Sequence, residues 1–270
     1  MEKCGHYQHW REDLQLTSRL NIRFLRWGPA IYRTWLAPKK FDFAWTDEVI
    51  AEMQELQITP IFDLLHFGLP DWLGNFQNRE FPELFADYAG ECAARYSHVK
   101  HWTPINEILI TALFSAKYGW WNERLTTEAS FTRAILNLSR ANVLAMRAIE
   151  AEVPGSMFVQ SESLEVTHAE NPELLERASF ENERRFIPLD LTYGHPLSDR
   201  MLSHLQMHGM SDREYAFFAD NQDEFNCVLG TDYYVTNEHL LHADGSTSPS
   251  GDYLGYYVLA KEYYSRYGLP

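Results

Sequence analysis

His98-Val99-Lys100-His101-Trp102-Thr103-Pro104-Ile105-Asn106-Glu107 is a short, largely apolar run that ends abruptly on an amide and a carboxylate. Read as a buried strand over residues 99–105, it places Asn106 and Glu107 at its carboxyl end. Reactive side chains of parallel barrels collect at that end of the strands. The segments on either side of this one decide whether such a sheet exists.

Upstream, residues 7–20 carry Trp10, Leu14, Leu16 and Leu20 close to helical spacing, and residues 22–27 follow as a strand. Residues 47–56 then repeat the helical period through Val49, Ile50, Met53 and Leu56, with Thr46 or Asp47 as the expected cap, and lead into a strand over 59–67. Residues 81–96 read as the helix before the opening strand, and 109–116 as a short apolar loop or helix after it.

Downstream, 131–151 reads as a long helix and 157–161 as a strand. Three helical stretches, 172–186, 197–208 and 211–219, precede a strand over 225–235. The Ser-, Gly- and Asp-rich segment 242–252 reads as a loop, and residues 253–267 as a helix stopped by Gly268-Leu269-Pro270.

This alternation is the mark of βα units around a parallel sheet. Five strands do not close a parallel barrel, which takes eight with matching tilt and stagger. The expected fold is therefore α/β, a (β/α)8 TIM barrel with about five of its eight strands present, in one partial domain over residues 1–270. The next strand is expected after Pro270.

With 45% hydrophobic and 14% aromatic residues, the 270-residue chain can bury a substantial core. A formal charge of −15 without any run of Lys or Arg argues against nucleic acid. Three scattered cysteines, Cys4, Cys92 and Cys227, indicate neither a disulfide framework nor a zinc site, and the simplest compartment is the cytoplasm. No stretch has the length of a membrane span or the apolar core of a signal peptide. His6 and His9 have no third ligand nearby in the sequence, so no metal is expected, and no cofactor.

The strand ends hold Arg23, Arg26 and Trp27; Asp63, His66 and Phe67; Asn106 and Glu107; Glu162 and Glu165; and Asp232, Tyr233 and Tyr234. Glycosidic cleavage needs one carboxyl to protonate the leaving oxygen and another to attack the anomeric carbon, and aromatic faces suit the apolar side of a sugar ring. This inventory meets those needs.

The segment ending in Asn106-Glu107 resembles the stretch of glycoside hydrolase family 1 in which an Asn-Glu pair ends the fourth strand. Several flanking segments resemble that family in the same order. Leu65-His66-Phe67-Gly68-Leu69-Pro70 is similar to its Tyr-His-Trp-Asp-Leu-Pro, and Arg23-Phe24 with Pro29 to its Arg-Phe-Ser-Ile-Ser-Trp-Pro. Leu229-Gly230-Thr231-Asp232-Tyr233-Tyr234 is similar to its Leu-Gly-Ile-Asn-Tyr-Tyr, and Asn78-Arg79 before residues 85–89 fits as well.

The resemblance implies a retaining β-glycosidase, β-glucosidase-like, acting on a small β-glycoside. It implies Glu107 as general acid/base, Asn106 and His66 as sugar contacts, and Arg23 and Tyr234 beside the nucleophile. Asp232 stands where the family has Asn and is a candidate substrate contact. Trp120-Trp121 reads as a packed aromatic pair or as a sugar-binding rim, with Trp121 the candidate contact. Glu162 and Glu165 receive no role from the family.

Departures are Ile108 in place of a Pro, Phe67 in place of a Trp, Asp232 in place of an Asn, and the lack of a histidine near Asn137. The family's first strand with its sugar-binding glutamine, and its Thr-Glu-Asn-Gly nucleophile strand, have no counterpart in these residues. The nucleophile is expected beyond Pro270. Glu107 must start protonated, which calls for burial and a negatively charged partner. Without the nucleophile carboxylate that tuning is expected to be lost. Two rivals remain at this point: a catalytically inactive carbohydrate-binding or regulatory barrel fragment, and a barrel segment fused to another sugar-modifying domain.

Overall fold

The computed structural model describes residues 3–251 and 253–270. In chain order the elements are α1 (His6–Arg19), β1 (Phe24–Trp27), α2 (Ile31–Thr34), β2 (Trp35–Ala37), β3 (Lys40–Phe41), α3 (Ala44–Glu55), β4 (Thr59–Leu65), α4 (Phe81–Arg95), β5 (His101–Ile105) and α5 (Ile108–Ala112). They continue with α6 (Glu128–Glu152), β6 (Met157–Ser163), β7 (Val166–Ala169), α7 (Leu175–Arg184), α8 (Ile187–Thr192), α9 (Asp199–Met207), α10 (Asp212–Ala219), β8 (Asn226–Asp232), β9 (Glu238–Leu241), β10 (Thr247–Pro249) and α11 (Tyr256–Tyr267). A π-helical turn, Leu113–Lys117, extends α5.

Five strands form one parallel sheet in the order β1-β4-β5-β6-β8, a half-barrel. Strand alternation sorts its two faces. On the helix side, Phe62 of β4 meets Trp102 of β5 edge-on at 5.3 Å, and both are fully buried with Phe158 of β6. Each such aromatic contributes about 1.5–3 kcal/mol through the area it removes from water. On the concave side stand Arg26, Asp63 and Thr103, which bond to one another across strands or through shared partners. The carbonyl of Pro270 accepts from Leu229 N–H at 2.9 Å, so the end of the chain runs beside β8.

The five expected strands are the five observed, four of them with shorter ends and β6 extended by two residues to Ser163. The strand expected to reach residue 67 stops at Leu65, because Phe67 takes a left-handed backbone with φ 70°. The strand expected to reach 235 stops at Asp232, where Asn237 accepts from Tyr234 N–H and closes a turn. Helix α3 starts three residues before Asp47, and Asp42, rather than Thr46 or Asp47, binds its free N–H groups by accepting from Ala44 at 3.0 Å. Helix α6 starts at Glu128 rather than 131, because Thr127 and Ser130 cap it reciprocally at 3.0 and 3.2 Å.

Segment 242–252 is not only a loop. Its residues 247–249 form β10, which pairs antiparallel with β9, and β9 pairs parallel with β7. This second sheet of three strands, the hairpin β2-β3 and helix α8 all escaped the periodicity. Strands of two to four residues carry too few alternations to be told from turns.

Candidate active site

The carboxyl ends of β1, β4, β5, β6 and β8 open into a cavity of about 820 Å³. Its walls include Arg26, His66, Phe67, Asn106, Glu107, Trp121, Glu165, Asp232 and Tyr234, with Thr167, His239 and Ser248 supplied by the three-stranded sheet. Of the residues singled out from the sequence, Glu107, Asn106, His66, Asp232, Tyr234 and Trp121 therefore share one cavity.

Arg23 does not join them. It is exposed and precedes β1, whereas Arg26 lines the cavity. Residues three apart on a strand face opposite sides, so only one of the two arginines can point inward. The pairing of Trp27 with Phe62 in β4 sets that choice in favour of Arg26. Its guanidinium lies 3.0 Å from Asp63 Oδ2, donates to Asn106 Oδ1 and reaches Thr103 Oγ1 at 3.3 Å. Asp63 Oδ2 also meets His66 Nδ1 at 2.7 Å. One buried carboxylate thus orients a cation and an imidazole, and through the cation an amide.

Glu107 has φ 41° and ψ 70°, a left-handed conformation that costs a non-glycine residue about 1–3 kcal/mol. The surrounding backbone imposes it. Glu107 N–H donates to the Ser161 carbonyl at 2.9 Å, and Thr111 N–H donates to the Glu107 carbonyl at 2.9 Å as α5 begins. Phe67, the other non-glycine residue of the cavity wall with a left-handed backbone, is pinned by Asn122, which donates to its carbonyl at 2.7 Å. The strain aims both side chains into the cavity mouth.

Burial pushes the Glu107 carboxyl up to about 8, helped by hydrogen bonding to and charge on Asp232 and by the charge on Glu165, while Arg26 pulls the other way. The expectation that this tuning would be lost without the nucleophile is thus corrected. Carboxylates on β8 and just after β6 supply the negative charge, and the low-dielectric wall supplies the rest.

Glu162 faces the start of α5, where Ile108 and Leu109 N–H donate to it at 3.0 and 3.4 Å. Fully buried, it too is pushed up to about 8 by desolvation, against those two hydrogen bonds, with further help from the charges of Glu107 and Asp232. It acts as a helix cap and does not line the cavity.

A group whose folded-state value is raised holds its proton more tightly in the folded than in the unfolded chain. Its stabilising contribution is full below the unfolded value near 4.5 and is lost as pH rises through about 8. Glu162→Gln keeps an oxygen for Ile108 and removes the titration. Urea melts of wild type should lose up to about 1 kcal/mol per pH unit more than the variant between pH 5 and 8. Parallel stability curves for the two proteins would refute this role.

Tyr234 is more than half exposed and lines the cavity, whereas Tyr233 turns away and donates to Glu238 at 2.7 Å. Trp121 packs against Phe67 at 4.6 Å and Phe114 at 4.7 Å. Trp120 also meets Phe114, at 4.7 Å, and remains 65% exposed, so the aromatic pair is packed and cavity-lining at once. Asn137 has no cavity role: it is buried and donates to the carbonyls of Phe76 and Asn78 at 2.7 and 3.1 Å.

Glu165, assigned no role from the sequence, lines the cavity and is held by Ser163 at 2.6 Å, by Asn237 and by His239 at 2.6 Å. Nothing local marks Asn237 or His239 for this site. They reach it only because β9 pairs with β7. His6 and His9 lie by Asp13 and Glu12 at 3.0 and 3.4 Å. Among the described residues no group of three or more His, Cys, Asp or Glu is placed to hold a metal, and no helix is long and apolar enough to cross a membrane.

The family model for glycosyl hydrolase family 1 matches residues 2–239. The chain is 28% identical over 160 residues to "Beta-glucosidase A" of Thermotoga maritima, covering 56% of this chain and 35% of that protein. It is 26% identical over 259 residues to the "6-phospho-beta-galactosidase" of Staphylococcus aureus, covering 86% of this chain and 53% of that one. The solved family 1 β-glucosidase from Thermotoga maritima superposes on 99% of this chain with a TM-score of 0.84 at 20% identity, while 65% of that protein is covered. The same enzyme in complex with castanospermine superposes with a TM-score of 0.85. The chain therefore spans roughly a third to two thirds of the length of these relatives.

Proposed function

The chain belongs to glycosyl hydrolase family 1, and from that premise we propose that the protein containing it hydrolyses a β-glycoside with retention of configuration, Glu107 serving as general acid and then base. The observation that carries this reading is a single carboxyl, at the end of β5 in a 820 Å³ cavity, whose proton is held to about pH 8. A group in that state can give its proton to a leaving glycosidic oxygen at neutral pH and recover it from water afterwards. Asn106 and His66, both tied into the Arg26–Asp63 network, contact the sugar, and the faces of Phe67 and Trp121 pack against it.

The two carboxyls of a retaining pair stand about 5–5.5 Å apart. Asp232 is engaged with Ser161 at 2.6 Å and acts on Glu107, and Glu165 is occupied by Ser163, Asn237 and His239. We assign the nucleophile to a strand after residue 270, in a complete (β/α)8 barrel. The open edge of β8, already joined by Pro270, is where such a strand would enter. Arg26 and Tyr234 would face it across the cavity.

Incubating the protein that contains this chain with an aryl β-glucoside, and following the anomeric proton of the released sugar, tests the reading. The β-anomer should appear first. Release of the α-anomer would exclude retention, and saturable sugar binding with no turnover would favour the carbohydrate-binding alternative.

A further inference from the structure

We propose that Asp232 is a positioning residue for Glu107, its carboxyl set against the Glu107 carboxyl by Ser161 so that Glu107 keeps its proton. This rests on the assignment of Glu107 as the acid/base. Ser161, on β6 between the two strands concerned, binds both partners. Its carbonyl accepts from Glu107 N–H at 2.9 Å, and its hydroxyl donates to Asp232 Oδ2 at 2.6 Å.

The backbone makes this bridge rigid. Ser161 pairs with Gly230 and Ser163 with Asp232 in the parallel register of β6 and β8, and Leu164 N–H donates to the Asp232 carbonyl at 2.9 Å. A Cβ at Gly230 would lie 3.3 Å from the Ser161 Cα, so a glycine lets β8 approach without pushing Ser161 aside. The Asp232 carboxyl then comes within hydrogen-bonding reach of the Glu107 carboxyl.

Two carboxyls in that contact cannot both ionise cheaply, and a proton on Glu107 relieves the repulsion. The other groups around the pair do not replace this arrangement. Arg26 from β1 favours the ionised form of Glu107 and is shared with Asp63, which also holds His66. Glu162 is turned to the start of α5, Glu165 is bound by its own three partners, and the exposed Tyr234 feels both carboxyls only through their charge.

An asparagine at 232, as in the motif that residues 229–234 resemble, would offer no charge. Asp232 therefore converts a substrate-contact position into a support for the acid/base, and keeps Glu107 protonated before any sugar arrives.

The test is a carbon-13 NMR titration of the protein that contains this chain, with labelled Glu and Asp carboxyls, across pH 4–10. In the wild type the Glu107 carbon should titrate well above the ordinary carboxylate range. Asp232→Asn should lower the Glu107 midpoint by at least about one pH unit, a tenfold loss of proton affinity. If that variant does not fold by circular dichroism, Ser161→Ala decides, since it removes the donor that holds the Asp232 carboxyl in place and should move the Glu107 midpoint. A Glu107 curve unchanged in a folded Asp232→Asn, or unchanged in Ser161→Ala, overturns the proposal. The readout needs no turnover: a shifted midpoint in a protein that fails to hydrolyse glycosides sinks only the functional reading, and an unchanged midpoint in an active enzyme sinks only the role of Asp232.

Discussion

Glu107→Gln, in the protein containing this chain, should lower kcat/KM for a β-glucoside with a poorly leaving aglycone by about 10²–10⁴-fold, the usual contribution of a positioned general acid. The loss should depend on the leaving group. A phenol or alcohol must be protonated as it departs, and Gln cannot supply the proton. A dinitrophenolate leaves as the anion, so its glucoside should lose far less in the first step and instead accumulate a glycosyl-enzyme, seen as a burst, because the base that activates water is also gone. Equal losses for both substrates would show that Glu107 acts on structure or binding rather than on the proton.

Gly28→Ala should be among the most damaging substitutions outside the carboxyl cluster. A Cβ at this position would sit 2.0 Å from the backbone carbonyl oxygen of Asp63 and 3.1 Å from its carbonyl carbon. Neither atom belongs to a flexible side chain, so relief requires β1 and β4 to separate. That movement would pull Asp63 from Arg26 and His66 at 3.0 and 2.7 Å. We expect a loss of about 3 kcal/mol, the upper end for overpacking, and a fall in melting temperature of roughly 10 °C for a chain of this size. Sugar affinity should fall with it, since the displaced residues orient Asn106 and His66. A variant within about 0.5 kcal/mol of wild type would mean that the two strands part more easily than their packing implies.

The same contact shows why part of the site was legible before folding and part was not. Glu107, Asn106 and His66 each lie within two residues of a strand's carboxyl end, where a parallel sheet gathers its chemistry whatever the details of packing. Tyr234 lies in the turn just after β8 and follows the same rule. The choice of Arg23 failed because a strand of four residues can be shifted along its neighbour without changing its apparent pattern, and each one-residue shift exchanges its faces. Only the pairing of Phe24 with Thr59 and Trp27 with Phe62 sets which arginine turns inward.

Local pattern alone determined the five parallel strands, the longer helices between them, the family the chain resembles, and Glu107 as the carboxyl to look for at a strand end. These depend on side-chain period and on residues adjacent in the chain, which read the same folded or unfolded. The tertiary structure decided that Arg26 rather than Arg23 lines the cavity, that a sheet of β7, β9 and β10 brings His239 and Asn237 to its wall, and that burial, with Asp232 and Glu165 beside it, pushes the Glu107 carboxyl up. Those outcomes depend on strand register and on burial, both produced by contacts between segments far apart in the chain, and a carboxyl's hold on its proton is set by the charges and water around it rather than by its neighbours in sequence.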